Sequence, residues 1–456
     1  PQPGDVPFLR QPLAPTYAER QAAYMAWLLL QKTSDERGGI WTDAGKLAAG
    51  ATQLNPLALQ DGLDFVNAHK DPSDFTVAGL VRLYYLQAGK GILTGEQETA
   101  IQAALTNFKY WFEEPGHTEV EMWTENHQIL NHSSEYLVGQ AFPAATFGSG
   151  QTGEWHRQQA RLRILRWIDW HARTGFAEWD SVVYYTEDLA PLLNLVEFAQ
   201  DEEISTRAAM MVDALLFDIA VDSYYGIFAT SHGRATAGSI KSGAGDGLVT
   251  LQAVAWGMGR FQASSMAVIS LVTSPRYHIP AAIEALAQDM PQEYENFERH
   301  SIPLTQAAAD SYGLSFSDPQ DLWVWWGMGA FTNPPVIDST IRAADSWNLW
   351  HYPDFADLKD LAQVLQRFHL LGAASTLLDP QSNGVLLSEV NKVTYRTPDY
   401  ILSTAQDYRK GEKGYQQHIS QAALDPYAVV FTTNPDSLRA DDSQRPSYWS
   451  SSGRLP

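Results

Sequence analysis

Glu121-Met-Trp-Thr-Glu-Asn-His-Gln-Ile-Leu-Asn-His-Ser-Ser-Glu-Tyr-Leu-Val-Gly-Gln-Ala-Phe-Pro143 is the stretch around which the rest of the chain is read. Ile129, Leu130, Tyr136 and Leu137 recur at helical spacing, Thr124 is a good N-cap residue, and Gly139 and Pro143 close the segment. The spacing therefore predicts a helix opening at Thr124. Opposite the apolar side, Glu125, Gln128, His132 and Glu135 fall at i, i+3, i+7 and i+10, which puts them on one face. Asn126 and His127 occupy the first turn, where free backbone N–H groups and the helix dipole favour an anion. Such polar density fits a functional cleft, or else a satisfied network between packed helices.

Amphipathic segments continue on both sides of it. Ala18–Gln31, Pro56–His69, Asp74–Ala88 and Gly95–Phe112 precede it; Trp155–Arg173, Val182–Gln200 and Glu203–Val221 follow. Shorter candidates are Gly247–Arg260, His278–Gln288, Leu322–Ala330, Thr340–Trp347 and Asp357–Leu371. Paired helices in this number predict a mainly α fold, an (α/α) toroid of six or seven hairpins or an incomplete barrel of them, with an open solenoid as the competing architecture. Residues 1–15 read as an extended Pro-rich arm and residues 16–383 as the helical domain. From residue 384 the texture turns β-rich, with Val385–Ser388, Val390–Tyr395, Tyr400–Ser403 and Tyr427–Thr433 as strands of a partial β-module.

Composition narrows the function classes. The 456 residues exceed one ordinary core. A formal charge of −22 disfavours nucleic acid and anionic membrane as partners, and a polyanionic ligand would require basic residues gathered in the cleft. Cysteine is absent, which removes disulfides and thiolate metal sites. No run of about 18 apolar residues is present, so no membrane insertion is expected. Fifteen Trp, 20 Tyr and 18 Phe suit a protein that stacks sugar rings. The N-terminal Pro1-Gln-Pro-Gly-Asp5 reads as a mature start, and a secreted or periplasmic location is expected.

Two further stretches carry chemistry. In Glu178-Trp-Asp-Ser-Val-Val-Tyr-Tyr-Thr-Glu-Asp188, Ser181 is a plausible N-cap that places Tyr184 and Tyr185 in a first turn. Tyr185 shares a face with Leu189, Leu192 and Val196; Tyr184 lies off it and is the better acid or base. Ser231-His-Gly-Arg234 is a compact cationic turn, with Arg234 suited to a carboxylate and His232 beside it. No HExxH motif, His-x-x-x-His pair or Gly-x-Ser-x-Gly elbow occurs, so neither a metal, a cofactor nor a serine nucleophile is expected. Lys241-Ser-Gly-Ala-Gly-Asp-Gly247 lacks the ending of a phosphate loop and reads as a lip over the cleft.

Trp123-Thr-Glu-Asn-His-Gln128, followed by Glu178-Trp-Asp-Ser181 and Tyr184, resembles the (α/α)-toroid polysaccharide lyases, the group of alginate, glucuronan and heparinase-like lyases. Tyr395-Arg-Thr-Pro-Asp-Tyr400, Ser403–Asp407 and Gly414-Tyr-Gln-Gln-His418 look like the start of the β-sandwich that such enzymes commonly add. The resemblance implies β-elimination on a uronic-acid polymer. Asn126, with His127 or Arg234, would neutralise the C6 carboxylate; Tyr184 or His127 would take the C5 proton, and Tyr184 would protonate the leaving O4. Trp123, Glu125, Gln128, His132, Tyr185 and His232 would contact the polysaccharide. A glycoside hydrolase on the same scaffold is the alternative, using Glu125 with Glu178, Asp180 or Glu187 as acid and base.

Overall fold

The computed structural model describes residues 12–240, 243–356, 359–382, 384–409, 414 and 416–433. Nine helices come first: α1 (Tyr17–Leu29), α2 (Gly39–Ala48), α3 (Pro56–Asn67), α4 (Ser73–Gln87), α5 (Gly95–Asn107), α6 (Glu125–Ala141), α7 (Gly153–Thr174), α8 (Tyr184–Phe198) and α9 (Glu202–Val221). A two-stranded hairpin of β1 (Ser223–Tyr224) and β2 (Ile227–Phe228) precedes α10 (Ala237–Ile240), α11 (Val249–Ala255), α12 (Met266–Val272) and α13 (Ala281–Gln288). Strand β3 (Tyr294–His300) is followed by α14 (Gln306–Tyr312), α15 (Leu322–Gly327), α16 (Ile337–Ser346), α17 (Pro353–Ala356), α18 (Lys359–Arg367) and α19 (Leu371–Ser382). Strands β4 (Val390–Arg396), β5 (Ile401–Ala405), β6 (His418–Asp425) and β7 (Ala428–Thr433) complete the described chain. The protein is mainly α with a small antiparallel sheet.

Local chemistry explains the helix starts. Thr16 and Glu19 make a reciprocal capping box on α1, and Thr94 and Gln97 make one on α5. Thr124 precedes α6 as expected, but its side chain does not cap it. That role falls to Glu178, whose Oε2 accepts the Asn126 N–H at 3.4 Å. At α8, Ser181 Oγ accepts the Tyr184 N–H at 3.0 Å.

Helix contacts run in a cycle: α2 packs on α4, α4 on α6, α6 on α8, α8 on α12, and α12 returns to α2. These helices bury most of their residues, whereas α1, α3 and α5 bury only one side. The first turns of α4 and α6 meet where His127 Nδ1 lies 2.5 Å from Asp74 Oδ2. At the other end, the Tyr85 hydroxyl donates to the Leu137 carbonyl (2.7 Å) and Gln140 Nε2 to the Phe198 carbonyl (2.9 Å). Helices α4, α6 and α8 therefore run parallel, with their N-terminal ends grouped together. Arg82, fully buried on α4, joins the far ends by bonding Asn194 Oδ1 on α8 (2.7 Å), the Ser270 carbonyl (2.8 Å), Thr273 Oγ1 (2.7 Å) and Ser274 Oγ (2.8 Å).

The sheet corrects the expected division at residue 384. Its order is β3-β4-β5-β6-β7, all antiparallel, so the first strand comes from residues 294–300 and α14 to α19 form an excursion between two neighbouring strands. Tyr294-Glu-Asn-Phe-Glu-Arg-His300 carries charged residues on both sides of its one central aromatic, so it lacks a clean apolar alternation and was read as no strand. Val385–Ser388 is not a strand; the Leu387 N–H bonds the Met328 carbonyl at 2.8 Å instead. The expected Asp357–Leu371 helix is α18, which stops at Arg367, α19 starting only at Leu371; residues 357–358 are outside the described set. So are Lys241 and Ser242 of the expected lip, residues 1–11 of the arm and residues 434–456 of the β-rich segment. No helix among the described residues is long and apolar enough to cross a membrane.

Candidate functional site

The grouped N-terminal ends lie beside a cavity of about 440 Å³. Trp123, Trp326, Phe331, Trp350 and Phe355 give it aromatic walls, and Glu121, Glu178, Arg234, Gln416 and Gln417 bring polar groups to it. The size suits a ligand of one or two sugar rings, and a largely apolar lining with a few polar groups is usual for such sites.

Glu178 and Arg234 are its electrostatic centre. Three groups hold the Glu178 carboxylate: Asn126 Nδ2 at 2.7 Å, the Asn126 N–H and Arg234 Nη1. Arg234 also donates from Nε to Gln416 Oε1 (2.9 Å) and from Nη2 to the Tyr184 hydroxyl (2.7 Å). Its guanidinium stands 3.9 Å from the centre of the Tyr184 ring. Burial works against the charge on Arg234, but Tyr184 and Glu178 outweigh it and raise its pKa further. The sheet takes part directly, because the β6 bridge His232–His418 and the bond from the Ala235 N–H to the Gln416 carbonyl (3.0 Å) fix the turn that carries Arg234.

Of the four expected catalytic residues, Arg234 lines the cavity, and Tyr184, half-buried, does not line it but packs against Arg234. Asn126 is fully buried and reaches the cavity only indirectly, through its bonds to Glu178 (2.7 Å) and Thr124 (3.2 Å). His127 is 6 % exposed and stacks on Phe75 (5.3 Å between ring centres). Burial alone would lower its pKa, but the charge and hydrogen bond of Asp74, backed by Asp71 and Glu121, lift it to about 9. His127 is therefore an imidazolium near neutral pH, which removes it as a proton acceptor and leaves it as a source of positive charge.

The expected contact residues divide sharply. Trp123 lines the cavity, although edge-to-face contacts with Phe331, Tyr352 and Phe355 leave it 3 % exposed. Glu125 instead clamps the loop before α8, accepting the Ala177 and Glu178 N–H groups (3.0 and 2.8 Å) and contacting His171 Nε2 (3.0 Å). Gln128 is buried, its Nε2 bonded to the Trp123 and Trp323 carbonyls (2.7 and 2.8 Å). His132 is buried against Trp111 and lines a different, smaller hollow. Tyr185 is a core residue whose hydroxyl accepts the Asp180 N–H at 2.9 Å. His232 is buried with Nδ1 2.5 Å from the Asp180 carbonyl, and burial pulls its pKa down to about 3. For Glu125, Gln128 and His132, spacing identified a shared polar face but not the packed neighbours that cover it.

Two acids stand out beside these residues: Glu187, expected only under the glycoside-hydrolase alternative, and Asp188, which the sequence did not single out. Glu187 is buried in the first turn of α8, and Oε2 lacks a hydrogen-bond partner. Burial lifts its pKa to about 8, with His127 and Arg234 opposing and Glu178 reinforcing the shift. Asp188, beside it, has no partner on either oxygen, and burial pushes it well above the usual carboxylate range. The Thr-Glu-Asp sequence after Tyr184-Tyr185 was the available signal. As for cations, Glu114, Glu135 and His156 lie together, but both ring nitrogens of His156 are already engaged, by Glu135 (2.7 Å) and Ser149 (2.6 Å). No family model, curated protein or solved structure matches the chain.

Proposed function

We propose that the protein is a polysaccharide lyase that cleaves a uronic-acid-containing polymer by β-elimination, on an (α/α) toroid whose inner ring is the cycle α2-α4-α6-α8-α12. The observation that carries this reading is the Arg234–Tyr184 pair, of which Arg234 lines the cavity: a guanidinium stacked on a phenol ring and donating to its oxygen at 2.7 Å. Abstraction of the C5 proton places negative charge next to the C6 carboxylate, so the carboxylate must first be neutralised. Arg234, with the His127 imidazolium behind it, supplies that positive charge. The same guanidinium stabilises negative charge on the Tyr184 oxygen, which takes the C5 proton and returns it to O4 as the C4–O4 bond breaks. The electron pair of the C5–H bond becomes the C4=C5 double bond of the product. At rest Arg234 holds Glu178, Gln416 and Tyr184, so a uronate enters by exchanging with the Glu178 carboxylate or the Gln416 amide.

A second reading, glycoside hydrolysis, is favoured by a different observation. Glu178 lines the cavity, and Glu187, neutral at pH 7, is buried within electrostatic reach of it, which would give a base and an acid. One assay separates the two: incubation with glucuronan, alginate and neutral glucans, followed by ultraviolet absorbance. Elimination produces a conjugated, absorbing sugar end. New reducing ends without that absorbance would reject the lyase.

A further inference from the structure

A second group of buried charges sits where the loop before α8 meets the sheet. Lys392 on β4 is 1 % exposed, and its ammonium contacts Asp180, Asp222, Glu298 (2.6 Å) and Thr230 Oγ1 (3.0 Å). Glu298 is its direct cross-strand partner on β3. Three carboxylates thus share one ammonium, and a buried charge left uncompensated is strongly unfavourable. Two residues on from Glu298, His300 is 4 % exposed, yet neither ring nitrogen has a hydrogen-bond partner. Asp180, fully buried, likewise has an unpartnered Oδ1. One ligand atom from each of Asp180, Glu298 and His300 lies within 4.8 Å of the others. Gly175 allows this approach: at φ 67°, a Cβ there would meet His300 Nδ1 at 2.7 Å.

We infer that Asp180, Glu298 and His300 form a site for one divalent metal ion of the zinc class. Carboxylate oxygens and imidazole nitrogens both ligate zinc, and three protein ligands leave an open position, with bonds of about 2.0–2.2 Å that an inward movement of these atoms would satisfy. The ion supplies the positive charge that Lys392 alone does not, and it occupies the unpartnered nitrogen of His300 and Oδ1 of Asp180. A site built this way ties β3 to the segment that carries Glu178, two residues before Asp180.

The test uses the whole chain, stripped with a chelator, equilibrated with Zn²⁺ and dialysed, with metal content read by mass spectrometry and Tm recorded in parallel. The wild type retains about one zinc per chain, and its Tm rises by several degrees on loading. His300→Gln and Glu298→Gln weaken retention at least about tenfold. A wild-type chain that keeps less than about a tenth of an equivalent overturns the inference. So does a folded His300→Gln chain that keeps the full equivalent, which would leave Lys392 as the sole counterion. If both variants fail to fold, the wild-type stoichiometry decides alone. None of these readouts depends on turnover, so the result stands apart from the lyase reading.

Discussion

Asn126 donates its side-chain amide to the Glu178 carboxylate at 2.7 Å, so the residue expected to hold a substrate carboxylate holds one of the protein's own. The same carboxylate accepts from Arg234. Under elimination, Glu178 competes with the substrate for this guanidinium. Glu178→Gln is therefore expected to keep turnover while lowering KM on a polyuronate several-fold. Steady-state kinetics check this, and loss of kcat by about a hundredfold would assign Glu178 to the chemistry instead.

The adjacent tyrosines separate chemistry from packing. Tyr184→Phe is expected to leave unfolding by urea within about 1 kcal/mol of wild type and to lower turnover by at least about a hundredfold. Tyr185→Phe removes the acceptor of the buried Asp180 N–H, so it should cost about 1–3 kcal/mol and leave the rate per folded molecule near wild type.

His127 binds its proton more tightly in the folded chain, where its pKa is about 9, than when unfolded, near 6.5. Its contribution is complete below about 6.5 and disappears as the pH rises through 9, a loss of up to a few kcal/mol. Urea midpoints measured from pH 6 to 10 should show this decline. His127→Gln should flatten it, and an unchanged slope would remove the Asp74–His127 pair as its origin.

Glu187 also holds its proton more tightly when folded, at about 8 against 4.5. Stability from this group is present below 4.5 and lost as the pH climbs to 8. Glu187→Gln keeps the shape without an ionisable proton and should be more stable than wild type at pH 8.5, with little difference at pH 4.5. Equal urea midpoints at both pH values would contradict this.

Long amphipathic helices were legible because three or four turns repeat the apolar spacing, as in Asp74–Ala88 and Glu203–Val221. Two members of the helix cycle were not. Gly39-Ile-Trp-Thr-Asp-Ala-Gly-Lys-Leu-Ala48 starts on glycine with no side-chain cap, and Met266-Ala-Val-Ile-Ser-Leu-Val272 is apolar all round and short enough to read as a strand. For the site, two first-turn residues and one turn residue were the useful signal: Asn126 and Arg234 share Glu178, and Tyr184 bonds Arg234. Glu178, the partner that Asn126 and Arg234 share, was read only as an alternative acid, because the bond to Asn126 spans 52 residues and leaves no local pattern.

Arg82 has a consequence for traffic through the protein. Its four bonds to α8, α12 and the turn after α12 stopper the helix cycle at the end away from the cavity. The far ends of α4 and α8 are thus locked to α12, so a ligand that reaches the N-terminal ends of α4, α6 and α8 meets a closed end behind them.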